Sequence, residues 1–288
     1  MATCIFVSDL HGNISKYEHL FNLIEKERPG YVFLGGDLLP HEHLVRKTVD
    51  IAHKDFIGNY LYKNFLRLKE KLGADYPKIF IILGNDDARF EEASVLSVAA
   101  QDIWIYLHNR RVQMDNFDFY GYANIPPSPF LLKDWERYDV SRFVDPGCVA
   151  PEEGQFTVPV AQEEIKYTTI EKDLDQLTKD NDLNRSIFLF HAPPYQTTLD
   201  RAALDGMEID HCPLDVHIGS IAIKRFIETR QPLITLHGHV HESARITGKW
   251  RDKMGRTHCF SAAHEGQELA VIRFDPGAPE KAERLLIS

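Results

Sequence analysis

The chain has 288 residues, with 33 Lys and Arg against 43 Asp and Glu, so its net charge is −10 with histidine neutral. That balance argues against a non-specific nucleic-acid or anionic-membrane binder, because phosphate polymers are met by clustered cations. A hydrophobic share of 43% and a charged share of 26% are globular proportions, which disfavour disorder and fibrous repeats and predict a sizeable core.

At roughly 150 residues per domain the length allows two domains, but α/β domains run larger; the expectation is one enlarged domain over residues 1–288. The longest central apolar run, residues 79–83, is far short of the about 20 residues that span a bilayer. The beginning of the chain has no basic stretch and reaches Asp9 before a signal-peptide core can form, so a cytoplasmic location without membrane association is expected. Cys4, Cys148, Cys212 and Cys259 are scattered with no C-x-x-C pair, which predicts reduced thiols that mostly serve packing.

Taken in chain order, residues 4–8 form an apolar run that stops at Asp9-Leu10-His11. Tyr17, Leu20, Phe21 and Ile24 then recur at helical spacing and predict one apolar stripe against a sheet. Residues 31–34 stop at Gly35-Gly36-Asp37, followed by His41-Glu42-His43, which reads as a solvated loop. Residues 79–83 stop at Gly84-Asn85-Asp86-Asp87. Residues 103–107 and 117–122 are further strand-like runs. Residues 126–159 hold six prolines with Phe130, Trp135 and Tyr138 and predict an irregular insertion of the kind that walls a substrate site. Residues 187–190 stop at His191. Ser220 is a plausible N-cap for a helix carrying Ile223, Phe226 and Ile227, and Pro232 precedes the run 233–236, which stops at His237-Gly238-His239-Val240-His241. Residues 257–274 supply two more strands, with Gly266 between them as a hairpin signal. The expected class is α/β with a mixed sheet.

Five of these runs end abruptly in metal-capable groups, as parallel strands do at the sheet edge where ligands bind. Each signal alone has a plain reading. Asp9-x-His11 is equally a turn, Asp37 a turn acid, Asn85 a left-handed turn residue, and His191 a hydrogen-bonded core histidine. His239 and His241 are harder to dismiss, since paired imidazoles are a natural way to coordinate metal. For all seven groups to meet at strand ends by coincidence is improbable.

The order Asp-x-His, Gly-Asp, Gly-Asn, His and Gly-His-x-His resembles the calcineurin-like metallophosphoesterase family. Leu199-Asp200, Gly219-Ser220 and His241-Glu242-Ser243 also look like the smaller bacterial and archaeal predicted phosphoesterases of that family. The resemblance implies a four-layer αββα sandwich of mixed sheets with flanking helices. It further implies two divalent ions, the first on Asp9, His11, Asp37 and His241, with Asp37 bridging to a second completed by Asn85, His191 and His239. Thiolate-free Asp, His and Asn ligation suits Mn, Fe, Co, Ni or Zn, with Mn favoured over the others. Such ions, about 3.5 to 4 Å apart, share and ionise a bridging water that attacks phosphorus in line. The expected function is therefore hydrolysis of a phosphoester, a small phosphodiester being favoured, with no nucleic-acid partner. The alternative is a catalytically silent interaction subunit of the same fold.

One departure stands out. Family members commonly carry His after the Gly-Asn pair, with an acid following; here Asp86 and Asp87 stand instead. Asp86 is the candidate proton donor to the leaving group, although a carboxylate beside two cations is normally ionised. Without that histidine, a diester or another ester with a good leaving group is the better substrate. Tyr195 and Arg201 are candidate substrate contacts, whereas His108, His211, His217 and His264 read as surface or hydrogen-bonded histidines.

Overall fold

A computed structural model describes residues 3–40 and 55–288; the His41-Glu42-His43 run lies outside the described residues. The runs rich in Val, Ile and Phe form two six-stranded sheets. In the first, β1 (Cys4–Val7), β2 (Tyr31–Gly35), β3 (Lys78–Ile82) and the short β4 (Ile105–Tyr106) run parallel. Beside β1, β13 (Leu269–Phe274) and β14 (Glu283–Ile287) continue antiparallel, giving the order β14-β13-β1-β2-β3-β4. In the second sheet, β12 (Thr257–Ser261), β10 (Ile234–His237), β7 (Ser186–Phe190) and β6 (Phe117–Tyr122) are parallel. Antiparallel edge strands β11 (Arg251–Met254) and β5 (Arg110–Met114) flank them. A separate two-stranded hairpin pairs β8 (Glu208–Ile209) with β9 (Cys212–Pro213).

Two sequence expectations need correction. The five ligand-bearing strand ends do not share one sheet: β1, β2 and β3 belong to the first and β7 and β10 to the second. Nor do residues 257–274 form a hairpin about Gly266, because β12 and β13 lie in different sheets and the chain crosses between layers there. Strands β12 and β13 instead pair antiparallel with β11 and β14 respectively. Strand β5, Arg-Arg-Val-Gln-Met, carries no apolar alternation because it is a half-exposed edge.

Period-two alternation explains the layering. Along β6 and β7, Phe119, Ile187 and Leu189 face the other sheet, while Tyr120, Phe188 and Phe190 join a second cluster on the outer face. Between the sheets Phe80 stacks on Phe119 at 4.4 Å, and Phe260 meets Phe274 at 5.7 Å. Helices cover the outer faces. Over the first sheet, α1 (Ile14–Glu27) buries Tyr17, Leu20 and Ile24, and α2 (Lys63–Leu72) buries Phe65 and Leu68; α3 (Glu92–Ala99) buries Val95 and Val98. Near the second sheet lie α4 (Gln162–Tyr167), α5 (Ile170–Thr178), α6 (Ile221–Arg230) and α7 (Ser243–Thr247), with Leu174, Ile223, Phe226 and Ile227 in the outer cluster. Asn13 caps α1 by accepting from the Lys16 amide at 3.2 Å, and Ser220 caps α6 by accepting from that of Ile223 at 3.0 Å.

Cys4 and Cys259 are buried and Cys148 half-buried, whereas Cys212 is exposed on the β8–β9 hairpin. Among the described residues no helix is long and apolar enough to cross a membrane.

His108 accepts the Ala123 amide on Nδ1 at 3.0 Å, beside Trp135 and Tyr122. Burial, with Arg89, Arg137 and Arg110 nearby, lowers its pKa to about 3. Below its ordinary pKa the unfolded chain therefore binds a proton that the folded chain refuses. The stability contribution is fully present above pH ~6.5 and declines by about 1 kcal/mol per pH unit towards pH ~4. In urea titrations across that range, His108→Gln should flatten the slope by this amount; an unchanged slope would refute the assignment.

Candidate metal centre

Strand register brings the ligands level. Val7 pairs with Leu34, and Leu34 with Ile81, so the loops after β1, β2 and β3 leave the first sheet side by side. In the second sheet Leu189 pairs with Leu236, and the Gly238 amide donates to the His191 carbonyl at 2.9 Å. Residues separated by most of the chain thus converge. Asp9, His11, Asp37 and His241 present ligand atoms within 4.8 Å of one another, and so do Asp37, His191 and His239. Asp37 is the shared member. Asn85 Oδ1 lies 3.0 Å from His191 Nε2, placing it beside the second group.

Sharp local turns achieve this. Asp9, His11, Asp37 and His239 all adopt positive φ, at 57°, 44°, 51° and 74°, a left-handed conformation uncommon for non-glycine residues but one that Asp and His tolerate better than most. Two glycines show how closely the loops approach. A Cβ on Gly84 would run into the Asp37 carboxylate, and one on Gly238 would meet Asp9 Oδ2 at 2.8 Å. The glycine before each ligand is thus a requirement of close approach.

Electrostatics favour cations here. Burial alone would raise the Asp9 pKa, but the His241 hydrogen bond and neighbouring histidines hold it below the carboxylate range. For Asp37, burial opposes ionisation, yet His191 and His11 bring the pKa down to about 2. Burial likewise disfavours charge on His191, but Asp37 and Asp9 push it up to about 10; against the same burial, Asp9 and Asp37 raise His241 to about 9. His239 goes the other way, to about 3, through burial and the charge of His191. Two buried anions therefore draw positive charge from whatever neighbours can hold it.

The donor set fits a pair of metal ions. Asp9 Oδ1 accepts the His239 amide at 2.9 Å, but its Oδ2 is buried and has no hydrogen-bond partner among the described residues. An uncompensated buried carboxylate oxygen is costly unless a cation takes it. Supporting contacts orient the ligands as metal sites require. The Gly35 carbonyl accepts from His191 Nδ1 at 2.8 Å, leaving Nε2 to face Asp37 Oδ2 at 3.2 Å.

Asp87 and Ser8 add support that motif spacing did not single out. Asp87 is turned inward and fully buried, where it accepts the amides of Leu38, Leu39 and Gly84 at 3.0, 2.8 and 2.9 Å. It thereby staples the loop of Asp37 to that of Asn85. Ser8 Oγ donates to the Gly35 carbonyl at 3.2 Å. The Pro-rich insertion is fastened to the same place: Trp135 Nε1 donates to the Asp87 carbonyl at 2.7 Å, and the Arg89 amide donates to Asp134 at 2.7 Å.

Other histidines stay outside the centre. His237 is buried, hydrogen-bonded to the Ala192 carbonyl and Thr235. His217 pairs with Asp200 and His264 with Glu268, while His211 is exposed. Tyr195 donates to Asp215, and Arg201 pairs with Asp205, so both substrate-contact candidates are engaged with local carboxylates.

Among solved structures, the protein TT1561 of Thermus thermophilus is similar over 100% of this chain and 99% of its own, with TM-score 0.56 and 16% identity. A dimetal phosphatase from Danio rerio aligns over 100% and 98%, with TM-score 0.53 and 14% identity. The phosphopantetheinyl hydrolase of Mycobacterium tuberculosis aligns over 91% and 89%, with TM-score 0.51 and 10% identity. At such identities the likeness is one of fold. No curated protein matches the sequence significantly. The family model for calcineurin-like phosphoesterases matches residues 2–243, a span that takes in all seven ligand candidates, and the chain belongs to that family.

Proposed function

We propose that the protein is a binuclear metal-dependent phosphoesterase acting on a small phosphodiester. The observation that carries this reading is the convergence of two donor groups on one shared carboxylate, Asp37. Asp9, His11, Asp37 and His241 would hold one ion, and Asp37, Asn85, His191 and His239 the other. Ions held there, with Mn favoured, would polarise phosphoryl oxygens and make water a competent nucleophile near neutral pH. The residues themselves prepare the ground. The left-handed turns at Asp9, Asp37 and His239 bring their side chains into the cluster, and Asp87 ties the two central loops together.

Preference for a diester rests on the residue that follows Gly84-Asn85. The position after Gly84-Asn85 offers the Asp86 carboxylate in place of an imidazole, so the about 10² to 10⁴-fold contribution of a general acid is not available from that side chain. Esters with good leaving groups suffer least from that loss. The silent-subunit alternative expects eroded ligands, whereas here six Asp and His candidates converge, with Asn85 beside His191, which supports the enzyme reading.

Mn-supplemented protein should bind two ions per chain and hydrolyse bis(p-nitrophenyl) phosphate faster than p-nitrophenyl phosphate. The opposite ranking would remove the diesterase reading, and a protein that neither binds transition metal nor turns over either ester would remove the whole proposal.

A further inference from the structure

We infer that Asp86 is a positioning residue that orients one ligand of each metal ion, and that it does not protonate the leaving group. The inference rests on the binuclear reading above. Asp86 lies between the two donor groups and touches both. Its backbone amide donates to Asp37 Oδ1 at 2.8 Å, its Oδ1 accepts from Asn85 Nδ2 at 3.0 Å, and its Oδ2 is 3.7 Å from His11 Nδ1.

Each contact settles an orientation that would otherwise be open. A carboxamide can present either oxygen or nitrogen to a given neighbour. With Nδ2 given to Asp86, Asn85 Oδ1 is left facing His191 Nε2 at 3.0 Å, on the side of the second donor group. An imidazole is ambiguous in the same way. His11 Nε2 lies 3.2 Å from His241 Nε2 within the first group, so its Nδ1 is the distal nitrogen. A carboxylate facing the distal nitrogen draws the proton there and leaves the inner lone pair for a cation. At 3.7 Å the contact is longer than a hydrogen bond, yet its polarity is the one metal binding needs. Among the described residues the Asn85 amide and His11 Nδ1 each face one oxygen of the Asp86 carboxylate, and both can donate to it. A proton donor at this position would have to turn its hydroxyl away from the two ligands it supports.

Two substitutions separate the roles. Asp86→Asn keeps an oxygen for Asn85 but turns an amide donor towards His11, which reverses the tautomer preference of that ring. Asp86→Ala removes both acceptors. Mn titration followed by calorimetry and electron paramagnetic resonance should show Asp86→Asn losing about 10 to 100-fold in affinity for one ion, with the spin-coupled pair giving way to a mononuclear signal. Asp86→Ala should weaken both ions by a similar factor. Thermal unfolding of the metal-free variants serves as the folding control, and Asp86→Glu should restore part of the affinity. At saturating Mn, the fractional loss of turnover should be the same for methyl p-nitrophenyl phosphate and methyl phenyl phosphate. Unchanged Mn affinity in correctly folded variants, or a loss much greater for the phenyl ester, would overturn the inference and return Asp86 to the role of acid. If the unaltered protein binds two Mn ions and hydrolyses neither ester, the phosphoesterase reading fails while the metal titration still decides the positioning role.

Discussion

Replacing Asp37 by Asn is expected to lower phosphoester turnover by at least about 10³-fold and to abolish cooperative occupancy of the two proposed metal positions. Loss of one preorganised donor aimed at developing charge typically costs about 10² to 10³-fold, and Asp37 does more than one such donor. Among the described residues it is the only side chain belonging to both ligand groups, it is buried, and its two oxygens face different partners: the Asp86 amide on Oδ1 and His191 on Oδ2. Asparagine is nearly isosteric and can still accept the Asp86 amide, so the loop should keep its shape. What disappears is the negative charge that would sit between the two proposed cations, together with the second anionic oxygen. Metal analysis alongside kcat checks both parts. Turnover within tenfold of the unaltered protein, with two ions still bound, would show that Asp37 is not shared.

The second large effect concerns the Pro-rich insertion. Lys133→Met should destabilise the protein by about 3 to 5 kcal/mol, the usual cost of removing one partner from a buried ion pair. Lys133 and Glu136 are both almost wholly inaccessible, 2.5 Å apart, with Lys133 Nζ also donating to the Ser128 carbonyl at 2.8 Å. Burial already raises the Glu136 pKa, and Lys133 opposes that rise; without the cation the carboxyl would be forced towards its neutral form. Urea unfolding measures the cost. A double variant, Lys133→Met with Glu136→Gln, should recover a substantial part of it, since the stranded charge is then gone. A loss below about 1 kcal/mol for the single variant would mean that the segment around Trp135 is not integral to the fold. Activity should fall with stability, because Trp135 is bonded to Asp87, the residue that joins the two central ligand loops.

Much of this architecture is legible locally. The runs at β1, β2, β3, β7 and β10 end where a buried strand must meet polar chain, and the stripe of Tyr17, Leu20 and Ile24 repeats at the helical period. Ser220 is recognisable as a cap because its hydroxyl suits the free amides of a first turn. Edge strand β5 is illegible for the complementary reason: half exposed, it needs no apolar pattern. The seven ligand candidates were readable as residue types at strand ends, and the family resemblance supplied their grouping.

The amino-acid sequence by itself determined where the five candidate-bearing strands end, where two of the helices lie and which side chains can take a metal, because periodicity, capping and ligand chemistry are short-range properties. Only the tertiary structure decided that β12 and β13 part company into different sheets and that Asp87 turns inward to bind three amides. The same holds for Asp86, whose carboxylate faces His11 and Asn85 together. These outcomes depend on which apolar faces bury one another, and so on contacts such as that between His11 and His241, 230 positions apart, which no local pattern encodes.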